Sequence, residues 1–177
     1  MKTSGCGSRR CGAFTLLELV IVLVIVGILA TMLLPVYAGM RARAQRVQCV
    51  SNLHNLYLAA DVYLQRNGSW PQITRDTSAT GGADFANAWI NALAPFGPTR
   101  QTWICPAIQE ILHGPDYQHP QNARLDYLPM SFDDKPTTPH QWPRQPWFIE
   151  TANVHGHGNL IIFTDGSIGQ SDDLIRK

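Results

Sequence analysis

The chain has 177 residues, 14 basic and 13 acidic, with 45% hydrophobic side chains, totals that suit one soluble domain of ordinary size. Those totals average over an apolar run near the start and an uneven spread of charge, which argue against a purely cytosolic enzyme. Residues 67–177 hold seven basic and eleven acidic side chains, so this portion lacks the basic face of a polynucleotide binder, and no nucleic-acid partner is expected.

The first segment, residues 1–13, is rich in Gly, Ser and Cys and carries Lys2, Arg9 and Arg10 without an acid. Residues 14–34 follow, a largely apolar run in which Glu18 is the only charge. Their length matches the roughly 20 residues that cross a bilayer as a helix and exceeds the core of a cleaved secretory signal, about 7–15 residues. A lone carboxylate in such a helix costs about 2.5–3.5 kcal/mol at the bilayer centre, which makes Glu18 a functional candidate. Charge does not orient the span, because Lys2, Arg9 and Arg10 precede it and Arg41, Arg43 and Arg46 follow it.

The helical pattern runs on past Pro35 to about Arg66. Val36, Met40, Ala44, Val47, Val50, Leu53, Tyr57, Ala60 and Leu64 recur at spacings of three and four and predict one apolar stripe along a stem, residues 35–66. Asn67-Gly68 supplies a C-terminal cap, and Pro71 opposes a restart. A continuous helix of this length would reach roughly 80 Å, too long for a small head to cover. Lipid would cover its first half, and partner helices could cover the rest.

Residues 67–177 read as a small head. It holds eleven of the 12 prolines, eight of them from Pro106 to Pro146, a density that opposes long helices there. A short helix is predicted near Asp84–Leu93, with Phe85, Ala88, Trp89 and Ala92 on or near one face. Asn159–Thr164 is the clearest strand, and Asp165-Gly166 before Ser167–Gln170 signals a hairpin. All five Trp lie in this head and could build its core.

Gly12-Ala13-Phe14-Thr15-Leu16-Leu17-Glu18-Leu19, continued through Gly27, Ile28, Leu29, Ala30, Pro35 and Tyr37, resembles the cleavage and methylation segment of type IV prepilins and type II secretion pseudopilins. The resemblance covers about the first quarter of the chain. It implies that a prepilin peptidase removes the leader on the cytoplasmic side, cutting between Ala13 and Phe14, and methylates the Phe14 amine. The family usually has Gly immediately before the cut, where this chain has Ala13. It also implies a pilin-like α+β fold: a long N-terminal α-helix, membrane-spanning in its first half, and a small C-terminal head with a short antiparallel β-sheet. In an assembled filament Glu18 would pair with the Phe14 amine of a neighbouring subunit and set axial register. Gly27 and Pro35 would be points where the helix loosens on assembly, or residues that a membrane helix simply tolerates.

Loss of the leader would remove Cys6 and Cys11 and leave Cys49 and Cys105. An even pair on the oxidising side of a membrane reads as a disulfide, clamping head to stem, with two buried free thiols as the alternative. A second resemblance joins Cys49-Val50-Ser51-Asn52-Leu53, Cys105-Pro106, and His155 through Asp165-Gly166 to the Cys-x-x-Asn-Leu, Cys-Pro and His-x9-Asp-Gly elements shared by many pseudopilin-like proteins. His155, His157 and Asp165 fit no established metal-ligand spacing, and no Cys-x-x-Cys zinc pattern is present. Calcium is the one cofactor to consider, with Asp165, Asp172 and Asp173 as oxygen ligands. No nucleophile–base set, phosphate loop or carboxylate pair supports an enzyme.

These resemblances imply a structural subunit in the bacterial inner membrane, single-pass, its head periplasmic or outside, entering an extracytoplasmic filament. Its partners would be the prepilin peptidase, other pilin or pseudopilin subunits, and a secretion or pilus assembly platform. Service in type II secretion leads; a pilus subunit for adhesion, motility or DNA uptake, and a membrane-anchored binding protein, are the alternatives.

Overall fold

The computed structural model describes residues 15–74, 81–113, 117–156 and 158–175. The leader and the proposed cut at Gly12, Ala13 and Phe14 lie outside the described residues, as does His157. Helix α1 spans Leu16–Asn67 and continues through Gly27 and Pro35. The chain divides into two compact units, one ending at Met40 and one starting at Arg41.

In the first unit, large apolar side chains of α1 from Leu16 to Met32 are exposed, from 45% at Val20 to 81% at Leu16. Among the described residues no helix is long and apolar enough to cross a membrane. The predicted span, residues 14–34, begins at Phe14 and ends on side chains 33 and 34, which lie outside them.

The second unit contains the rest of α1, α2 (Gly81–Leu93), α3 (Pro106–Leu112), α4 (Ser171–Ile175) and four strands, β1 (Tyr127–Pro129), β2 (Pro146–Glu150), β3 (Leu160–Phe163) and β4 (Ile168–Gln170). The strands form one antiparallel sheet in the order β1-β2-β3-β4, which matches the predicted pilin-like α+β class. Helix α2 has 13 residues, whereas α3, in the proline-rich segment, has seven and starts at Pro106, where the missing N–H costs nothing.

The stem contributes directly to the head's core. Cys49, Leu53, Leu56, Ala60 and Leu64, spaced by three or four, are buried beneath the head, while Val47, Leu58 and Val62 are exposed. The stripe predicted through Val47 and Leu53 is therefore two faces rather than one, because its residues drift around the helix by more than a single face can hold. Helix α1 ends at Gly68, whose φ of +72° suits glycine and whose N–H reaches the Leu64 carbonyl at 2.9 Å.

Trp70, Trp89, Trp103 and Trp147 are buried, whereas Trp142 is 62% exposed. Trp70 sits at the centre, with ring centroids 5.1 Å from Trp147, 5.9 Å from Trp89 and 6.0 Å from Phe148. In α2 the buried positions are Ala86, Trp89, Ile90 and Leu93. Of the predicted face, Trp89 is buried and Phe85 packs half-buried against the core, while Ala88 and Ala92 lie on a half-buried flank.

Candidate functional site

Two places carry chemistry, one at the start of α1 and one around Cys49 in its second half. At its start Thr15 is the residue before the first helical turn and Glu18 the third within it. The Glu18 N–H donates to Thr15 Oγ1 at 3.2 Å, and Glu18 Oε2 accepts from the Thr15 hydroxyl at 3.2 Å and the Thr15 N–H at 3.4 Å. This is a reciprocal capping box, which satisfies donors that a helix start leaves free. Its carboxylate also lies where the helix macrodipole favours negative charge. The Thr-x-x-Glu signature was present in the sequence, ahead of an apolar run, and its capping role is separate from any pairing between subunits.

The second place lies within the Arg41–Lys177 unit, where α1 meets the head. Cys49 projects from α1; Cys105 immediately precedes α3; Glu150 ends β2; His155 follows in the loop toward β3. The Sγ atoms of Cys49 and Cys105 lie 2.6 Å apart, so the pair predicted to form a disulfide is brought together. His155 Nε2 lies 3.7 Å from Cys105 Sγ and 3.3 Å from Glu150 Oε1. Both Cys are fully buried, and the His155 and Glu150 side chains are 3% and 0% exposed.

Local structure holds each of these groups. The Cys105 N–H donates to Asp126 Oδ2 at 2.9 Å, and Arg124 grips the same carboxylate through Nε and Nη2 at 2.9 and 3.0 Å. Asn52, three residues after Cys49, donates from Nδ2 to the Ile104 carbonyl at 3.0 Å, which fixes the chain next to Cys105. Glu150 Oε2 accepts the Leu160 N–H at 3.4 Å, whereas Oε1 is buried without a hydrogen-bond partner. Burial, reinforced by the neighbouring Cys105 thiol, pushes the Glu150 carboxyl up to about 8. Contact with Cys105 lowers Cys49, and contact with Cys49 raises Cys105.

Cys49, Cys105 and His155, one from each motif fragment, thus meet at one junction. Asp165-Gly166 forms the turn between β3 and β4, where Gly166 has φ +74° and donates to the Phe163 carbonyl at 2.9 Å. Phe163 also donates to the Ser167 carbonyl at 3.0 Å, so the connection is a three-residue loop rather than a two-residue Asp-Gly turn. Asp165 Oδ1 accepts the Ser167 N–H at 2.9 Å and the Ser167 hydroxyl at 2.5 Å. Tyr57 of α1 donates to the Thr164 carbonyl at 2.9 Å. The Asp165-Gly166 turn therefore meets the stem at Tyr57, whereas His155 lies beside Cys105 and Glu150.

Among the described residues, Cys49, Cys105, Glu150 and His155 form a group whose ligand atoms lie within 4.8 Å of one another. The calcium candidates Asp165, Asp172 and Asp173 are not part of it. Glu150 escaped the sequence reading. Its signal was an acid at the end of the apolar run Trp147-Phe148-Ile149, a position that β2 carries into the core.

Residues 8–34 match the family described as the prokaryotic N-terminal methylation motif. The chain is 34% identical over 82 residues to a type II secretion system core protein G of Pectobacterium carotovorum subsp. carotovorum, covering 42% of this chain and 53% of that protein. It is 32% identical over 80 residues to a fimbrial protein of Neisseria meningitidis serogroup A / serotype 4A, covering 45% and 47%. It is 34% identical over 80 residues to a type IV major pilin protein of Neisseria gonorrhoeae, covering 45% and 37%. The chain thus spans about half the length, or less, of the curated relatives it matches. No solved structure matches. The names of these relatives are those of secretion-system and pilus proteins rather than enzymes. Residues 8–34 thus carry a prepilin-type methylation motif, and over less than half its length the chain is similar to type II secretion core protein G and to type IV pilins.

Proposed function

We propose that this chain is a pseudopilin-like subunit of a type II secretion apparatus, cut between Ala13 and Phe14, methylated on Phe14 and assembled through its N-terminal helix. The observation that carries the reading is the uncovered apolar surface of α1, where Leu17, Leu23, Ile25 and Met32 are each more than half exposed. At about 25 cal/mol per Å² such a surface favours transfer into lipid or against like helices. The helix anchors the precursor in the inner membrane with its head outside the cytoplasm, and neighbouring subunits replace the lipid during assembly. Glu18 then faces the Phe14 amine of a neighbour, and Gly27 and Pro35 give the helix room to adjust.

Co-expression with a prepilin peptidase tests processing: mass spectrometry of the product finds a chain beginning at N-methylated Phe14, and an intact leader refutes the cut. A Glu18→Ala variant is processed but does not enter filaments.

The similarity to a fimbrial protein and to type IV major pilins supports a second reading, a pilus subunit. Deletion of the gene separates the two. Loss of a secreted cargo with surface pili intact supports secretion; loss of pili with secretion intact supports the pilus.

A further inference from the structure

The buried group at the head–stem junction has a composition that a disulfide explains only by half. A bond between Cys49 and Cys105 would account for two side chains and leave Glu150, fully buried, facing His155 across 3.3 Å with Oε1 outside any hydrogen bond. Buried carboxylates are ordinarily paired or bound to a metal. Here the four nearest ligand atoms are two sulfurs, one imidazole nitrogen and one carboxylate oxygen, all within 4.8 Å of one another.

We propose that Cys49, Cys105, Glu150 and His155 form a single tetrahedral site for a zinc-class divalent cation, filled when the two thiols are reduced. The donor set selects the ion. Two thiolates and an imidazole suit zinc, whereas calcium takes six to eight oxygens and magnesium an octahedron of them.

The spacing also fits. Bonds of about 2.0–2.3 Å imply tetrahedral edges of about 3.3–3.8 Å. The His155–Glu150 and His155–Cys105 separations, 3.3 and 3.7 Å, already have those lengths. The sulfurs, 2.6 Å apart, open by about 1 Å around the ion, a movement within reach of small side-chain rotations. On binding, both thiols and the Glu150 carboxyl lose their protons to solvent, and the divalent charge offsets two of the three negative charges left on the ligands.

The surroundings are those of a held site. Asp126 fixes the Cys105 backbone, and Asn52, three residues after Cys49 on α1, holds its neighbour Ile104, so the two cysteine segments are tied to each other. Such an ion would join α1, the segment before α3, the end of β2 and the following loop, and so would fasten the head to its stem. The inference is independent of whether the subunit serves secretion or a pilus.

The test is titration of the full chain, purified in detergent under reductant, with cobalt(II) as the probe. One equivalent should give the intense sulfur-to-cobalt charge-transfer absorption and the visible bands of a tetrahedral centre, both abolished by one equivalent of zinc. Cys105→Ser should lower the charge-transfer intensity by about half, and His155→Ala and Glu150→Gln should each weaken binding at least tenfold. Circular dichroism accompanies each variant, and Asp172→Asn, which lies outside the group, should bind as wild type. Absence of the bands in folded, reduced protein overturns the site. So does a cobalt spectrum and affinity unchanged by both His155→Ala and Glu150→Gln. Metal-free protein, isolated from outside the cytoplasm with Cys49 and Cys105 joined in peptide maps and taking up no zinc after reduction, overturns it too.

Discussion

Tyr57 and Thr164 tie the stem to the far hairpin: the Tyr57 hydroxyl donates to the Thr164 carbonyl at 2.9 Å, 107 residues along the chain. The turn that follows closes over the same ring, since a Cβ on Gly166 would lie 3.4 Å from Tyr57 Cε1. Tyr57→Phe keeps the ring contact and loses the hydrogen bond, a cost of about 1 kcal/mol in urea unfolding. Gly166→Ala should cost about 1–2 kcal/mol, because φ +74° burdens any side chain before contact with Tyr57 is counted. Equal stability of Gly166→Ala and wild type would show that the turn does not need glycine.

At the start of α1, Glu18 caps the helix, and in the proposed filament it would also pair with a neighbouring subunit. Glutamine can close a capping box as glutamate does, but it carries no charge. Glu18→Gln should therefore keep the helix start, as read by amide exchange of its first turn, and still fail in assembly. Thr15→Ala removes the cap and should cost about 1 kcal/mol of helix stability while leaving the carboxylate in place. Filaments formed normally by Glu18→Gln would assign Glu18 to capping alone.

The aromatic core offers a contrast within one residue type. Trp70→Ala, at the centre of the ring cluster and fully buried, should cost about 3–5 kcal/mol. Trp142→Ala, with Trp142 62% exposed, should stay within about 0.5 kcal/mol. Denaturant unfolding of the two variants side by side reads both values.

The Asp165 carboxyl is held below its ordinary value of 3.8 by the hydroxyl and N–H of Ser167. A depressed folded value means that the turn is supported above the ordinary carboxylate range and loses that support as pH falls through the depressed value. An NMR titration of Asp165 should show its inflection below 3.8, and Ser167→Ala should move it upward. An unchanged inflection in that variant would remove Ser167 as the cause.

The long helix, the small α+β head and the β3–β4 hairpin were legible in the sequence because each has a local signature: unbroken apolar periodicity, proline density, and an apolar run before Asp165-Gly166. The buried face of α2 was legible only in part: Trp89 and Phe85 face the core, but Ala86, Ile90 and Leu93 are covered rather than Ala88 and Ala92, a choice made by the elements packed against the helix. The stem's change of partner was also hidden. Val47 and Leu53 fit one pattern in the sequence, yet only the head decides which of them is covered. Cys49, Cys105 and His155 were each singled out from fragments, but their meeting with Glu150 depends on contacts 50 and 56 residues apart in the chain, which no local spacing encodes.

The sheet's outer strands, β1 and β4, have three residues each. Pro129 occupies the end of β1 with no N–H to offer, and β4 passes directly into α4. Neither margin presents the length of open backbone on which a foreign strand could nucleate. Where many copies are crowded together, their sheets therefore resist fusing edge to edge, and an array held by its helices can be taken apart again without amyloid-like adhesion between its heads.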